Sequence, residues 1–422
     1  MKILIVAYDV APLDLISSQR INHFIDFFCA KGYHVDVLTS KKRAIDGPIK
    51  DFEKYNKLKD KANFIEIPSN FKNKSNNKKN DVVDTNSMMN NRRDFLKKIK
   101  SILVKFTGQL FDYRTVWAYN SIEYIKNSDV KYDVLLTSSL PACVTWLGWY
   151  IKCQNKETLW IADFRDLWTL NHLVEYNFFS KKIDTFFEKK FLSKADLITT
   201  VSEDLSDQMR NFHNKDVLLV RNGFVPEEYE HIIKKEDLFL DKNKINIVYA
   251  GNIYKNRRDP TALFQIIKKY NLEDKIHIHF FGYYLANLKE LVDINNANSY
   301  CFFHDPLPRN EMFGVLKASD FNLFLESGES DAKGVIPGKI FELIALGKPI
   351  INVGPQDDFE SVQLLKSTGL LVKLNEFAGY IDKYKKNDQE YSQNIKFIEE
   401  VAGRNSQVSK IYQFIESKKV GG

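Results

Sequence analysis

At 422 residues the chain is long enough for two ordinary α/β domains, each with its own core. Hydrophobic residues make up 44% of it and the formal net charge is only +6, which excludes a disordered chain and is too modest to mark a nucleic-acid binder, while suiting small anionic ligands. Cys29, Cys143, Cys153 and Cys301 show neither close pairing nor metal-ligand spacing, so a reducing compartment is expected and no cysteine chemistry.

The opening MKILIVAYDVAP has too short an apolar run for a signal peptide and reads as a first strand, Ile3 to Ala7, leading into a loop. No run approaches the ~18 apolar residues of a membrane-crossing helix; the nearest is ACVTWLGWYI at 142 to 151. The expected location is cytoplasmic, or peripheral on the inner face of the cytoplasmic membrane. A helix around Arg20 to Lys31 follows the first strand. Strand-like runs then come at His34 to Thr39, Phe64 to Ile67, Asp133 to Thr137, Leu159 to Ala162, Leu197 to Val201 and Val217 to Val220, and residues 1 to 224 form a first, acceptor-side domain.

Two segments of this domain stand apart. Residues 72 to 93 are polar, rich in Asn and Lys, and read as a mobile excursion. In residues 95 to 106, Phe95, Leu96, Ile99, Ile102, Leu103 and Phe106 share one helical face, with Lys97, Lys98, Lys100 and Lys105 elsewhere. That is the pattern of a basic amphipathic helix on an anionic membrane surface, or of an ordinary lid on the first sheet.

Residues 225 to 244, dense in Glu, Lys and Asp, read as a linker. A second series runs through Ile245 to Gly251, Ile276 to Phe281, Ser299 to Phe303, Asp320 to Leu325 and Pro349 to Val353, giving a second domain over 245 to 390. A helical pattern over 391 to 422 ends the chain, and its latter part is expected to pack back on the first domain. Strands alternating with helices imply parallel sheets. The fold class is therefore α/β, with two Rossmann-like domains facing each other across a ligand cleft at the carboxyl ends of the strands. No G-x-G-x-x-G follows the first strand, which argues against a dehydrogenase.

The stretch KGVIPGKIFELIALGKPI, 333 to 350, is a loop, a helix opened by Pro337-Gly338 and closed at Gly347, and a buried strand. Ile340, Phe341, Leu343, Ile344 and Leu346 leave Glu342 as a lone carboxylate in an apolar helix. It either pairs with Lys339, stays exposed, or accepts hydrogen bonds from a ligand diol while the helix N-terminus faces an anion. A nucleotide carries both groups.

Together with ADFRDLW (162 to 168), ADLITTVSEDL (195 to 205), RNGF (221 to 224) and YAGNIYKNRRDP (249 to 260), this stretch resembles glycosyltransferase family 4, over nearly the whole length. The resemblance implies the GT-B architecture, a nucleotide-sugar donor and retention at the anomeric carbon. It implies that Glu342 binds the donor ribose. The family's second acid, eight residues earlier, is Gly334 here, with Glu326 or Glu329 as replacements or as solvated loop acids. Gly251 and the following Lys255, Arg257 and Arg258 would wall the donor site. Lys255 and Arg258, with Lys339 and the helix amides near Gly338, would offset the diphosphate. Where relatives carry a histidine, this chain has Arg165, flanked by Asp163 and Asp166; these three are the catalytic candidates, or else an internal salt bridge. Where relatives have glycines in the first loop this chain has Ile16, Ser17 and Ser18, with Arg20 at the start of the following helix; Ser17, Ser18 and Arg20 are the candidate acceptor or phosphate contacts.

The chain has no D-x-D and its eight histidines form no zinc pattern, so neither a metal nor another cofactor is expected. The leading reading is a metal-independent hexosyltransferase acting on a glycan or lipid-linked acceptor in bacterial surface polysaccharide biosynthesis, lipopolysaccharide or capsule. A nucleotide-sugar 2-epimerase and a non-catalytic nucleotide-sugar-binding protein are the alternatives. Expected partners are donor, acceptor and an anionic membrane surface, with no nucleic acid.

Overall fold

The computed structural model describes residues 1–13, 15–41, 51–69, 108–171, 174–233, 239–251, 258–283, 286–329, 333–383 and 395–420. Lys255, the excursion over 72–93 and the basic helix expected over 95–106 lie outside the described residues. The chain divides into two compact units, one of residues 1–201, 205–220 and 411–422, the other of residues 202–204 and 221–410.

The first unit holds β1 (Lys2–Ala7), β2 (His34–Ser40), β3 (Asn63–Ile67), β4 (Val134–Ser139), β5 (Leu159–Phe164), β6 (Leu197–Thr200) and β7 (Val217–Leu219). They form one parallel sheet in the order β3-β2-β1-β4-β5-β6-β7, with Ile3 opposite both Val35 and Val134. The second unit holds β8 (Ile245–Ala250), β9 (Ile276–Phe281), β10 (Cys301–His304), β11 (Phe321–Leu325), β12 (Ile350–Val353) and β13 (Leu371–Lys373), in the order β10-β9-β8-β11-β12-β13. Both orders are doubly wound. Direction along the sheet reverses between β1 and β4 in one unit and between β8 and β11 in the other, and such reversals open a crevice at the carboxyl ends of the strands.

The strands read as continuous apolar runs because helices cover both sheet faces. Ile3, Leu4, Ile5 and Val6 are fully buried, as are Ile247, Val248 and Tyr249. The apolar run near 142–151 becomes the helix Cys143–Gln154, which buries Val144, Leu147 and Ile151 in the first core. Among the described residues, no helix is long and apolar enough to cross a membrane.

The described part of 225–244 differs from the expected linker, because it belongs to the second core. Tyr229 packs on Phe313 with ring centres 5.2 Å apart, and Phe239 packs on Phe281 at 5.3 Å. Among the described residues Glu227, Glu228, Glu230 and Lys242 are exposed, while Tyr229 and Phe239 pack inward as aromatic anchors. At the chain's end, residues 411–422 join the first unit. Tyr412 lies against Phe27 and Tyr33, and the Tyr33 hydroxyl donates to Glu416 at 2.7 Å. Ile411 and Ile415 are fully buried. Ile415→Ala should therefore destabilise the protein by ~2–5 kcal/mol, read as a lower midpoint in urea unfolding; an unchanged midpoint would show that the terminal helix adds nothing to the first core.

Candidate functional site

In the second unit the chain brings charged side chains to the place where the strand order reverses. β8 ends at Ala250, just before Gly251, and β11, its neighbour, runs into Glu326. Gly251 has φ 151°, and a Cβ there would sit 3.1 Å from the Tyr249 hydroxyl and 3.2 Å from Lys339 Nζ. A side chain there would crowd both groups, at a backbone conformation that residues other than glycine rarely adopt. The Lys339 ammonium lies 3.8 Å from the centre of the Tyr249 ring, a cation–π contact. Arg258 forks onto Glu326, Nη2 to Oε1 at 2.6 Å and Nε to Oε2 at 3.2 Å. Burial pushes the Lys339 ammonium down to about 7, aided by the like charge of Arg258 and opposed by Glu326 and Glu342.

Lys339 comes from the helix Gly338–Ala345, whose entry is set by Pro337 in extended conformation and whose N-terminus no side chain caps. Ile340, Phe341, Leu343 and Ile344 are buried, which leaves Glu342 on the half-buried side. Its partner is Arg309, Nη2 to Oε1 at 3.1 Å, rather than Lys339. Both side chains are more than a third exposed, 40% and 34%, so the pair stabilises little and can be exchanged for a ligand contact. Arg309 opens a helix in a polar loop, and no local pattern marks it as the partner of Glu342. Of the two acids considered as replacements at Gly334, Glu326 is engaged by Arg258 and Glu329 is exposed. A side chain at Gly334 would collide with the Asp204 carboxylate. Asp204, not foreseen from sequence, thus fills the space beside Gly334 with an acid.

In the first unit Asp163, at the carboxyl end of β5, is fully buried and accepts four hydrogen bonds. Arg20 donates two (Nη2 at 2.7 Å, Nε at 3.1 Å), Thr199 one at 2.7 Å and Ser138 one at 3.1 Å. Burial alone would raise the carboxyl; the charge and hydrogen bonds of Arg20, with Thr199 and nearby Arg165, hold it below its ordinary value. The internal ion pair considered for Asp163 exists, but its cation is Arg20. Ser18 is also turned inward, donating to Leu13 O at 2.5 Å and accepting from the Leu15 amide at 2.9 Å, where it shapes the start of the first helix. Neither Arg20 nor Ser18 is available as a direct contact in this arrangement, because both are buried at 2% or less. Ser17 remains half-buried, Asp166 exposed and Arg165 half-buried. Arg165 Nε is buried and, among the described residues, has no hydrogen-bond partner; burial lowers this guanidinium from its ordinary value against the pull of Asp166 and Asp163. A buried donor left unpaired beside a strand end is a natural place for a ligand oxygen.

Among the described residues, no group of three or more His, Cys, Asp or Glu side chains is placed to hold a metal ion. No protein-family model matches the chain, and no curated protein matches it. Solved structures do. A sucrose-phosphate synthase from Thermosynechococcus elongatus is similar with TM-score 0.59 at 12% identity, covering 100% of each chain. A glycosyltransferase from Rickettsia africae has TM-score 0.57 at 13% identity, covering 99% of this chain and 98% of its own. A Listeria monocytogenes protein assigned as a UDP-N-acetylglucosamine 2-epimerase has TM-score 0.53 at 10% identity, covering 100% and 97%. The two parallel-sheet units are those of the GT-B fold, a scaffold on which both kinds of enzyme are built.

Removing the charge of Asp163 takes from the buried Arg20 the carboxylate that accepts two of its hydrogen bonds. Asp163→Asn should cost ~3–5 kcal/mol of stability at neutral pH. The folded value of Asp163 lies below the unfolded one, so its contribution is present above the unfolded value and is lost as pH falls through the folded one. Denaturant titrations from neutral to acid pH should show the difference between parent and variant shrinking with acid; a constant difference would assign the loss to packing.

Proposed function

We propose that the protein is a glycosyltransferase that moves a sugar from a nucleoside-diphosphate donor to a glycan or lipid-linked acceptor. The observation that carries this reading is the meeting of Lys339, Arg258 and an uncapped helix N-terminus at the strand reversal of the second sheet, beside a glycine that keeps the approach open. Donor diphosphate would sit against Gly251, Lys339, Arg258 and the amides near Gly338, with Lys255 as a further cation. Glu342 would release Arg309 and accept the ribose hydroxyls. In the first unit, Arg165 Nε and Asp166 would position sugar oxygens and Ser17 the acceptor, while Asp163 and Arg20 act as positioning residues that hold the strand end.

In transfer, the bond from the anomeric carbon to the diphosphate oxygen breaks and a bond to the acceptor oxygen forms. The acceptor's hydroxyl proton passes to the departing diphosphate oxygen, which gains negative charge as its bond to the sugar breaks. Fixed cations and helix amides meet that charge, so we propose transfer without a metal and with retention of configuration, in bacterial surface polysaccharide assembly. The 2-epimerase reading uses the same fold and parts from this one in a simple assay, since an epimerase interconverts donor sugars with no acceptor present.

A thermal-shift panel of UDP-, GDP-, ADP- and dTDP-sugars should identify a stabilising nucleotide. Calorimetry with that nucleoside diphosphate at pH 8, in buffers of different ionisation enthalpy, should then show net proton uptake. The reason is that an anion raises the affinity of Lys339 for its proton from about 7. Lys339→Gln should abolish the uptake; uptake that survives would remove Lys339 from the diphosphate site. Glu342→Gln should instead weaken binding by ~1.5–3 kcal/mol with proton uptake retained, and unchanged affinity would refute the ribose contact.

A further inference from the structure

The helix Phe178–Leu192 (FFSKKIDTFFEKKFL) in the first unit carries its charges the wrong way round for a surface helix. Its two acids point inward. Asp184, fully buried, accepts from the amides of Gln109 at 2.7 Å and Leu110 at 3.4 Å. Glu188, 2% exposed, accepts from the amide and hydroxyl of Thr169 at 3.0 and 2.5 Å and meets His213 at 3.3 Å. Its outer face carries Phe178, Phe179 and Phe186, exposed at 66%, 70% and 60%, with Lys181, Lys182, Lys189 and Lys190. Phenylalanine and lysine alternate at helical spacing along 178, 182, 186 and 190, with Lys182 Nζ 4.2 Å from the Phe178 ring centre and Lys190 Nζ 5.9 Å from that of Phe186. Phe111, half exposed at 49%, extends the patch from the neighbouring loop, with its ring centre 5.9 Å from that of Phe187.

We infer that this face docks the protein on an anionic lipid bilayer. Three exposed phenylalanines call for an apolar medium. Four lysines without an exposed acid on the helix call for anionic groups at the edge of that medium. A protein partner fits less well, because lysine is depleted where protein interfaces are buried. A lipid surface fits both demands at once: the rings enter the boundary between headgroups and acyl chains while the lysine stems lie along them and the ammonium groups reach phosphate. The helix is distinct from the basic segment at 95–106, and the inference does not depend on which sugar or nucleotide the protein uses.

The full chain should be sedimented with vesicles of phosphatidylcholine alone and of phosphatidylcholine with one third phosphatidylglycerol, at low and high salt. The parent should bind only the anionic vesicles, and less at high salt. K181Q/K182Q/K189Q/K190Q should lower that binding at least tenfold at low salt. F178S/F179S/F186S should lower it comparably, with an unfolding temperature no lower than that of the parent, since these rings are solvent-exposed. If the phenylalanine variant fails to fold, the lysine variant alone decides. Failure of the parent to bind anionic vesicles, or equal binding by both variants, would overturn the inference, as would binding lost only on replacing Lys97, Lys98, Lys100 and Lys105. Self-association of the parent that the phenylalanine variant abolishes, without vesicle binding, would assign the face to a second copy of the chain. Nucleotide binding measured in parallel separates this outcome from the proposed activity, since its loss with vesicle binding intact strikes only the latter.

Discussion

The Asp163 carboxylate is buried with no solvent access, and the first unit is organised around satisfying it. Its four hydrogen bonds come from Ser138 at the end of β4, Thr199 on β6 and Arg20 on the first helix, so one charge ties three adjacent strands to the helix that follows β1. A buried ion pair of this kind adds little stability over an apolar core, but breaking it is costly, because each buried charge then loses its carboxylate or guanidinium partner. The carboxyl ends of β4, β5 and β6 are thereby held in register beside Arg165. The donor that remains unpaired there belongs to a frame made rigid by its neighbours.

The second unit handles its charges differently. Arg258 and Glu326 pair in a fork, and Lys339 lies against an aromatic face, where burial and the repulsion of Arg258 outweigh the pull of Glu326 and Glu342. Its ammonium is held in an environment that favours the neutral amine and would favour the cation as soon as an anion entered. Glu342 and Arg309 form the opposite case, an exposed pair of low worth whose members can change partners. A site for a charged ligand benefits from both arrangements. In the proposed donor site the half-buried Lys339 would supply affinity for an anion, and the half-buried Glu342 carboxylate would turn to hydroxyl groups at small cost.

The helix Phe178–Leu192 repeats the theme on the surface. Its acids are consumed by backbone amides and a histidine inside, so the lysines outside have no local counterions on that helix. Composition alone cannot reveal this, because the segment reads as a mixture of both charges; only burial separates them into two faces.

Much of the architecture was contained in the sequence itself. Apolar runs such as Ile3 to Ala7 and Ile245 to Ala250, alternating with helical patterns, specify parallel strands because buried strands must be apolar on both faces, and the two series specify two units. The Pro-Gly entry and apolar positions of 337 to 346 likewise specify a helix with Glu342 as its exception. Partners were a matter for tertiary structure. Asp163 is joined to Arg20 across 143 positions, and Glu342 to Arg309 across 33. Asp204 comes to rest against Gly334, and Tyr229 turns a charged stretch into part of a core. Local pattern follows from the conformation of each residue and its near neighbours, whereas the choice of counterion is made by whichever charge the folded chain delivers to within a few ångströms in a medium too apolar to leave it alone.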